Sequence, residues 1–402
     1  MQKLIRWSLV LGGWFFASAM MEAKTFRVTV AAAGVDRAAQ VVKVTLPPEA
    51  RGLNVLADAR GGMLPLQIEA DGTARFIVPA QKAGEVLTFT LSEAKMKMGP
   101  GIEVQRDPGQ LHFTLNGAGL FDYQMDKEAV PRADIPAVHR RAGYLHPIYT
   151  PKGTIVSDDY PPQHIHHHGI WAPWTKATFQ GRDVDFWNTG ANKGIVEFVA
   201  LDRTWSGVVH GGFVAKHRFL DRSAPTPLAA LNETWQVTAY ALPGTTARVF
   251  DLELTQTCAT ADPLILPKYH YGGLGYRGLG EWLGADKTNF LTSEGTTDRV
   301  KADEQKMRWV HLSGAVADGV AGLAVLGHPG NFRAPQPVRV HPKEPYVSFT
   351  PSWEGDWKIE PGKPYVARYR FVVADGPADR AQLDAFWNGY ALPAAAKVEE
   401  LP

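Results

Sequence analysis

Hydrophobic and polar residues alternate along much of this chain in short segments, which is the pattern of β-strands with one buried face. Between residues 24 and 98 such segments include residues 26–30 and 86–91, and Gly, Pro, Asp and Ala separate them. Short strands at this spacing favour a β-sandwich. We therefore predict a small amino-terminal, Ig-like β-sandwich domain over residues 24–98.

A second series of alternating segments begins near residue 102 and continues almost to the end of the chain. Its strongest strand candidates are residues 111–115, 234–238, 248–254 and 364–373. One helix is predicted after Pro377, from apolar residues at helical spacing. These residues are Leu383, Phe386, Trp387 and Tyr390. The pattern predicts an all-β protein in which residues 99–402 form a large antiparallel supersandwich with one carboxyl-terminal helix.

The amino terminus has the order of regions found in a secretory signal peptide. Lys3 and Arg6 precede the apolar residues 7–16, and the small residues 17–19 follow. We expect residues 1–23 to be a signal peptide and the protein to be periplasmic or secreted; a single membrane anchor is the alternative. No later apolar run approaches the roughly 20 residues that cross a bilayer, so no transmembrane span is expected in the mature chain.

The charge of the chain gives no sign of a nucleic-acid partner. Lys and Arg together number 42 and Asp and Glu 41, which leaves a formal net charge of +1. A nucleic-acid-binding surface normally carries a clear basic excess. We therefore expect no nucleic-acid partner; the aromatic residues and the family resemblance described below instead suggest a carbohydrate or another small-molecule substrate.

Four of the 13 histidines lie within residues 163–169, and they are His164, His166, His167 and His168. If the segment is extended, His164, His166 and His168 share one face. Imidazole has a pKa near 6.5, so it can donate or accept a proton near neutral pH. The structural alternative is a solvated or hydrogen-bonded turn. The surrounding aromatic residues suit a sugar face and are candidates for substrate binding: Trp171, Trp174 and Trp187.

The same imidazoles could instead hold a divalent metal, so the cofactor stays unknown. A cupin site needs a Glu shortly after its His-X-His, yet residues 169–179 contain no carboxylate. A copper histidine brace needs histidine as the first mature residue, and neither Met20 nor Lys24 supplies one. A metal would need ligands from distant segments, such as His146, His270 or Asp185.

Other segments add polar candidates in loop-like contexts. Residues 268–277 combine aromatic rings with three glycines, which permit close backbone approach to a ligand; a β-bulge with exposed tyrosines is the alternative. The further candidate catalytic residues, beside His164, His166 and His167, are His270, Arg277, Glu294 and Asp185. Tyr271 and Asn331 are further candidates for substrate binding. Glu294 could simply cap a turn.

Taken in order, these segments resemble the PmoA-like family, a domain of unknown function often labelled methane oxygenase. The family motif is Asp-His-Pro-His-His-Arg-Gly; this chain keeps His164, His166, His167 and Gly169 and has His168 where arginine is usual. Because arginine is usual there, we expect His168→Arg to be tolerated. Further matches are Asp185-Phe186-Trp187, Ser293-Glu294-Gly295, Trp309 before Ser313-Gly314, and His328-Pro329 with Asn331.

The resemblance extends from about residue 102 to residue 391 and implies a galactose mutarotase-like supersandwich that works on carbohydrates. Our leading interpretation is an exported enzyme that acts on a glycoside or sugar as a hydrolase, lyase or epimerase. Histidine would supply the acid and base, with Glu294 or Asp185 as a second group. The alternatives are a noncatalytic carbohydrate-binding protein and a metal-dependent oxidoreductase, as the family label suggests.

Overall fold

The structure is a computed structural model that describes residues 25–94, 99–242 and 244–401. The predicted signal peptide, residues 1–23, and residues 95–98 at the end of the predicted small domain lie outside the described residues. Within the described ranges, no helix combines the length and the apolar character that crossing a membrane requires.

The amino-terminal strands have the alternating burial that their sequence predicts. They are β1 (Phe26–Val30), β2 (Gln40–Thr45), β3 (Val55–Ala57), β4 (Met63–Ile68), β5 (Thr73–Val78) and β6 (Leu87–Ser92). Strand β1 buries Phe26, Val28 and Val30, whereas Arg27 between them is exposed. The strands enclose a core of their own, in which Phe76 of β5 meets Phe89 of β6 edge-on at 6.1 Å. The small sandwich therefore has its own apolar interior.

In the remainder of the described chain the regular secondary structure is almost entirely strand. Its first strands are β7 (Ile102–Asp107), β8 (Gln110–Leu115), β9 (Ala118–Gln124), β10 (Tyr144–Ile148), β11 (Ile170–Trp171), β12 (Ala177–Phe179), β13 (Arg182–Val184), β14 (Gly194–Trp205), β15 (His210–Asp221), β16 (Leu228–Tyr240) and β17 (Ala247–Cys258). The later strands are β18 (Leu264–Leu266), β19 (Leu274–Arg277), β20 (Thr288–Thr292), β21 (Gln305–Lys306), β22 (Trp309–Val316), β23 (Gly319–Gly327), β24 (Pro337–Val340), β25 (Tyr346–Phe349), β26 (Trp357–Ile359), β27 (Tyr365–Asp375) and β28 (Ala396–Glu400).

Helices are few and short in the described residues. The α-helices are α1 (Arg299–Ala302) and α2 (Arg380–Ala391). Single 3-10 turns occupy Pro48–Ala50, Ala137–His139, Thr189–Ala191, Gly280–Trp282 and Pro351–Glu354. The predicted all-β fold with a carboxyl-terminal helix is confirmed.

Two large antiparallel sheets face each other in the second part of the chain. One has nine strands in the order β21-β24-β25-β19-β11-β10-β9-β8-β7, and the other has eight in the order β14-β15-β16-β17-β27-β23-β22-β20. Their inner faces meet where Phe113 lies 5.7 Å from Phe213 and Phe121 lies 4.6 Å from Phe250, measured between ring centroids. A smaller sheet, in the order β13-β12-β18-β26, completes the architecture. The predicted supersandwich is thus built from sheets that share one large core.

The carboxyl-terminal segment joins the two sandwiches. The side chain of Asp379 caps α2 by accepting the N–H of Gln382 at 3.1 Å. Leu383 and Phe386 of α2 are buried in a cluster with residues of both sandwiches, among them Ile77 of β5. Strand β28 then pairs antiparallel with β1. The last residues of the chain therefore complete the sheet that the first strands begin.

The register of the nine-stranded sheet brings three loops to the same end. Arg277 closes β19 and pairs with Tyr346, which opens β25, while Ile170 opens β11 opposite Tyr276. Since neighbouring strands are antiparallel, the histidine-rich loop before β11, the end of β19 and the turn between β24 and β25 are neighbours. The candidate site is built from these loops.

Candidate functional site

The histidine-rich segment forms consecutive turns instead of an extended strand. The N–H of His164 donates to the carbonyl of Pro161 at 3.0 Å, and the N–H of His167 donates to the carbonyl of His164 at 2.8 Å. The condition for placing His164, His166 and His168 on one face is therefore not met. The structure instead groups His164, His166 and His167. His164 stacks on His167 with ring centroids 4.8 Å apart, and His166 meets His167 edge-on at the same distance.

These three histidines line a cavity of about 270 Å³, which we call the histidine cavity. Its other walls come from separate loops and carry aromatic, amide and imidazole groups. The remaining lining residues are Trp187, Asn188, Tyr269, Tyr271 and His341. The cavity therefore combines four imidazoles with three larger aromatic rings, an arrangement that can contact both the apolar and the polar parts of a small ring-shaped ligand.

A buried ion pair lies beside the histidine cavity. Nη1 of Arg277 is 2.7 Å from Oε2 of Glu344, and the two side chains are 0% and 9% exposed. The same carboxylate oxygen lies 3.8 Å from Nδ1 of His164. A buried charge is expensive unless it is paired, so the two charged groups must be considered together.

Several buried polar atoms in and beneath the cavity walls have no hydrogen-bond partner within the protein. These atoms are Nδ1 of His164, Nδ1 of His167, Nε1 of Trp171, and Nε and Nη2 of Arg277. A folded protein keeps few such atoms, because each costs about 1–3 kcal/mol. Their concentration here shows that the protein alone satisfies the polar groups of this region incompletely.

Burial lowers the pKa of the imidazoles that line the cavity. Desolvation, and then repulsion from His164, lowers the pKa of His166 from 6.5 to about 4. Desolvation also lowers the pKa of His341 to about 4 and that of His167 well below its usual value. The pKa of His164 is lowered as well, although the Glu344 carboxylate opposes this shift. All four rings are therefore neutral at neutral pH and can accept protons or hydrogen bonds.

His168 lies on the other side of its loop, away from the other three histidines. It is fully buried, its ring stacks on Tyr144 at 4.3 Å, and its Nδ1 lies 2.6 Å from Oδ1 of Asp159. Desolvation raises the pKa of Asp159 to about 6. Nearby, Arg141 is buried and two of its guanidinium nitrogens have no hydrogen-bond partner. Because a second cation would enter this packed region, we predict from the packing that His168→Arg is destabilising, against the expectation from the family motif.

Three of the other sequence candidates support the cavity wall. Trp171 is fully buried behind it, with ring centroids 5.0 Å from His167 and 4.9 Å from Trp187. Asp185 does not line the cavity: its Oδ1 accepts the N–H groups of Trp187 and Asn188 at 2.9 and 2.8 Å. Its other oxygen accepts from the Asn188 amide at 2.8 Å. Asp185 therefore positions two residues of the wall.

His270 and Tyr271 are neighbours in the loop before β19, but only Tyr271 lines the histidine cavity. Tyr271 lines the histidine cavity, and the guanidinium of Arg339 lies 5.2 Å from its ring centre. His270 is adjacent to Tyr271, but its Nδ1 is 2.9 Å from Oε1 of Glu304. The loop thus contributes an aromatic wall, while the imidazole of His270 is engaged outside the cavity lining.

Three further candidates lie outside the histidine cavity. Trp174 is in the large core and donates its Nε1–H to Oε1 of Gln256 at 2.7 Å. Glu294 is exposed and accepts from the hydroxyl of Ser293 at 2.9 Å. The amide of Asn331 is occupied by the backbone of Arg368, with both hydrogen bonds at 2.8 Å. None of the three contributes to the cavity walls.

His341 and Glu344 were missed in the sequence. Both lie in the turn His-Pro-Lys-Glu-Pro between β24 and β25, a compact polar stretch between two short apolar strands. This change from apolar to polar residues was the feature of the sequence that could have identified the turn as a candidate. Asn188 and Tyr269 lie beside candidates that the sequence did single out, and they also line the cavity.

The described residues do not fit the metal site considered from the sequence. In the part of the chain that the structure describes, no group of three or more His, Cys, Asp or Glu side chains has the arrangement of a metal site. The distant ligands that were considered have other partners: Nδ1 of His146 lies 2.9 Å from the hydroxyl of Ser157, and His270 faces Glu304. We therefore derive no step through a metal.

Solved structures give weak matches to the chain. It is similar to a glycosyl hydrolase family 38 protein from Enterococcus faecalis, with 10% identity and a TM-score of 0.43 over 94% of this chain and 48% of that one. An α-mannosidase from Enterococcus faecalis V583 gives 11% identity and a TM-score of 0.44 over 94% of this chain and 46% of that one. The chain is also similar to a galactose mutarotase related enzyme from Lactobacillus acidophilus, with 9% identity and a TM-score of 0.33. This match covers 69% of this chain and 100% of that one. The chain spans about half the length of the first two.

Comparison with curated proteins gives no match. The sequence motifs suggested a PmoA-like family, but no PmoA-like family model matches. The model that does match is described as a family of unknown function, DUF6807, and it matches residues 110–388. This range includes every residue that lines the histidine cavity and more than half of the chain. The chain therefore belongs to the family of unknown function DUF6807.

Proposed function

We propose that this protein is an enzyme that acts on a sugar or glycoside by proton transfer at histidine. The observation that carries the proposal is the histidine cavity, where four neutral imidazoles and three larger aromatic rings share one small space. A neutral imidazole has a free lone pair that can accept a proton or a hydrogen bond in the reaction, and aromatic rings contact the apolar face of a sugar.

The size of the cavity favours a small substrate. Its volume of about 270 Å³ is at the lower end of the range for ligand pockets. Such a space suits one sugar ring better than a longer oligosaccharide.

The chemistry of the walls favours an epimerase or lyase over a hydrolase with two carboxylates. Glycoside hydrolysis of that kind needs two carboxyl groups roughly 5–10 Å apart at the scissile bond. No carboxylate lines the histidine cavity, and the nearby Glu344 is paired with Arg277. Removal of a proton from the sugar by a neutral imidazole needs no such pair.

The experiment is an activity screen with matched variants. Wild type, His166→Ala and His167→Ala are tested on glycosides, free aldoses and oxidised or unsaturated sugars, with the melting temperature of each recorded. His112→Ala is the control, because His112 lies on β8, outside the cavity, and faces Asp107 and Asp122. The cavity variants should lose about 10²- to 10⁴-fold in turnover while the control keeps full activity.

Two results would contradict the proposal. Equal activity in all variants would remove the histidines from the mechanism. Sugar binding by the wild type without turnover of any sugar would identify a noncatalytic carbohydrate-binding protein instead.

We also propose that the protein is exported, on the sequence of its first 23 residues. Amino-terminal sequencing of the mature protein should begin at Met20, Lys24 or close to them. An intact Met1 on the protein from its native host would contradict export.

A further inference from the structure

We propose that His164 and His341 present opposite tautomers to the histidine cavity, His164 as a proton acceptor and His341 as a hydrogen-bond donor, and that Glu344 positions both. This inference rests on the proposed function, because it assigns roles within the same cavity. It assigns different chemical roles to two of the four imidazoles that line the cavity.

The backbone fixes the tautomer of His341. Nδ1 of His341 accepts the N–H groups of Lys343 and Glu344 at 3.2 and 2.9 Å. A ring nitrogen that accepts hydrogen bonds carries no proton, so the proton of the neutral ring is on Nε2. Because Nδ1 faces the backbone of its own turn, the Nε2 edge is the one left for the cavity that His341 lines. His341 therefore offers an N–H donor there.

A carboxylate selects the other tautomer for His164. Nδ1 of His164 is buried without a hydrogen-bond partner, and Oε2 of Glu344 lies 3.8 Å from it. A negative charge at this distance favours the proton on Nδ1. The side chain of His164 is 33% exposed although Nδ1 is buried, so its accessible edge carries Nε2 with a free lone pair. His164 therefore offers an acceptor.

Glu344 is the link between the two rings. Its carboxylate faces His164 and pairs with Arg277 at 2.7 Å, and its backbone N–H donates to Nδ1 of His341. The ring centroids of His164 and His341 are 6.1 Å apart, so both can reach one small ligand. Glu344 acts through the imidazoles and is a positioning residue.

The pair suits removal of a proton from a sugar. Nε2 of His164 takes a proton from a substrate O–H or C–H group and becomes an imidazolium, whose positive charge Glu344 stabilises. The electron pair of the broken bond stays on the substrate, and the N–H of His341 donates to the oxygen that carries the negative charge. Return of the proton from His164 to a different atom of the rearranged substrate gives the product and restores the neutral imidazole. A neutral imidazole is able to act as such a donor.

The test is nuclear magnetic resonance of the ¹⁵N-labelled full chain without substrate. Long-range ¹H–¹⁵N spectra show which ring nitrogen of each histidine carries the proton, and His164→Asn and His341→Asn assign the signals. We expect the proton on Nδ1 of His164 and on Nε2 of His341 at neutral pH. The same tautomer in both rings, or the reverse arrangement, would overturn the inference.

A variant tests the role of Glu344. Glu344→Gln removes the charge but keeps the backbone N–H, so His164 should lose its Nδ1 preference while His341 keeps its tautomer. Glu304→Gln is the matched control, because Glu304 faces His270 and should affect that ring alone. If Glu344→Gln does not fold, the wild-type spectrum still shows whether His164 and His341 have opposite tautomers. Opposite tautomers in a protein whose His166 and His167 variants stay active would refute the proposed function and not this inference.

Discussion

Breaking the buried ion pair beneath the histidine cavity should destabilise the whole protein. In Arg277→Met the Glu344 carboxylate, only 9% exposed, loses its cation. In Glu344→Gln the fully buried Arg277 guanidinium loses its anion. Removing one partner of a buried pair typically costs about 3–5 kcal/mol, because the remaining charge stays in a medium that solvates it poorly. That is a large part of a typical free energy of unfolding of about 5–15 kcal/mol.

The double variant separates the pair from its surroundings. Arg277→Met with Glu344→Gln removes both charges together, so neither is left uncompensated. We expect it to be more stable than either single variant, with a coupling energy of about 2 kcal/mol or more in a double-mutant cycle. The assay is urea unfolding of all four proteins, followed by tryptophan fluorescence and circular dichroism.

An exposed ion pair supplies the control. Lys82 and Asp36 are 2.7 Å apart in the small sandwich, and their side chains are 82% and 49% exposed. Lys82→Met should leave the unfolding midpoint unchanged. The reasoning would be refuted if each single variant at Arg277 or Glu344 behaved like this control, or if the two single effects simply added in the double variant.

Three further predictions follow from burial and topology. His168→Arg should lower the melting temperature clearly more than His168→Asn, and equal melting temperatures would contradict the packing described around His168. The pKa of both His166 and His341 is about 4 in the folded protein against the usual 6.5, so the unfolded chain binds more protons between those values. The free energy of unfolding should therefore fall as pH is lowered from 6.5 to 4, and a constant urea midpoint would contradict this. We propose that limited proteolysis cuts first between residues 94 and 102 and that the fragments stay associated in gel filtration, because β28 pairs with β1; separate elution would contradict that pairing.

Local periodicity explains what the sequence could predict of the fold. Alternation in β1 and helical spacing in α2 are properties of neighbouring residues, and both elements occur where these patterns lie. The return of β28 to β1 could not be predicted in this way, because it joins residues about 370 positions apart. Pairing between distant strands depends on the whole sheet and leaves little trace in either strand alone.

The candidate site shows the same limit. Grouping His164, His166 and His167 needed only their closeness in sequence, but their arrangement depends on turns that begin at Pro161. Trp174 lies close to them in sequence yet belongs to the core. Conversely, Glu344 is far away in sequence and reaches the cavity through the pairing of β25 with β19. Sequence proximity therefore predicted part of the cavity, and strand register supplied the rest.

The most direct test of the central claim is a crystal structure of the protein with a sugar that it binds. We predict a sugar ring in the histidine cavity, with oxygen atoms within hydrogen-bond distance of Nε2 of His164 and Nε2 of His341. A second, larger groove lies at Trp205 and His210, between the small sandwich and the eight-stranded sheet. A sugar ordered only in that groove, with none in the histidine cavity at saturating concentration, would contradict the account.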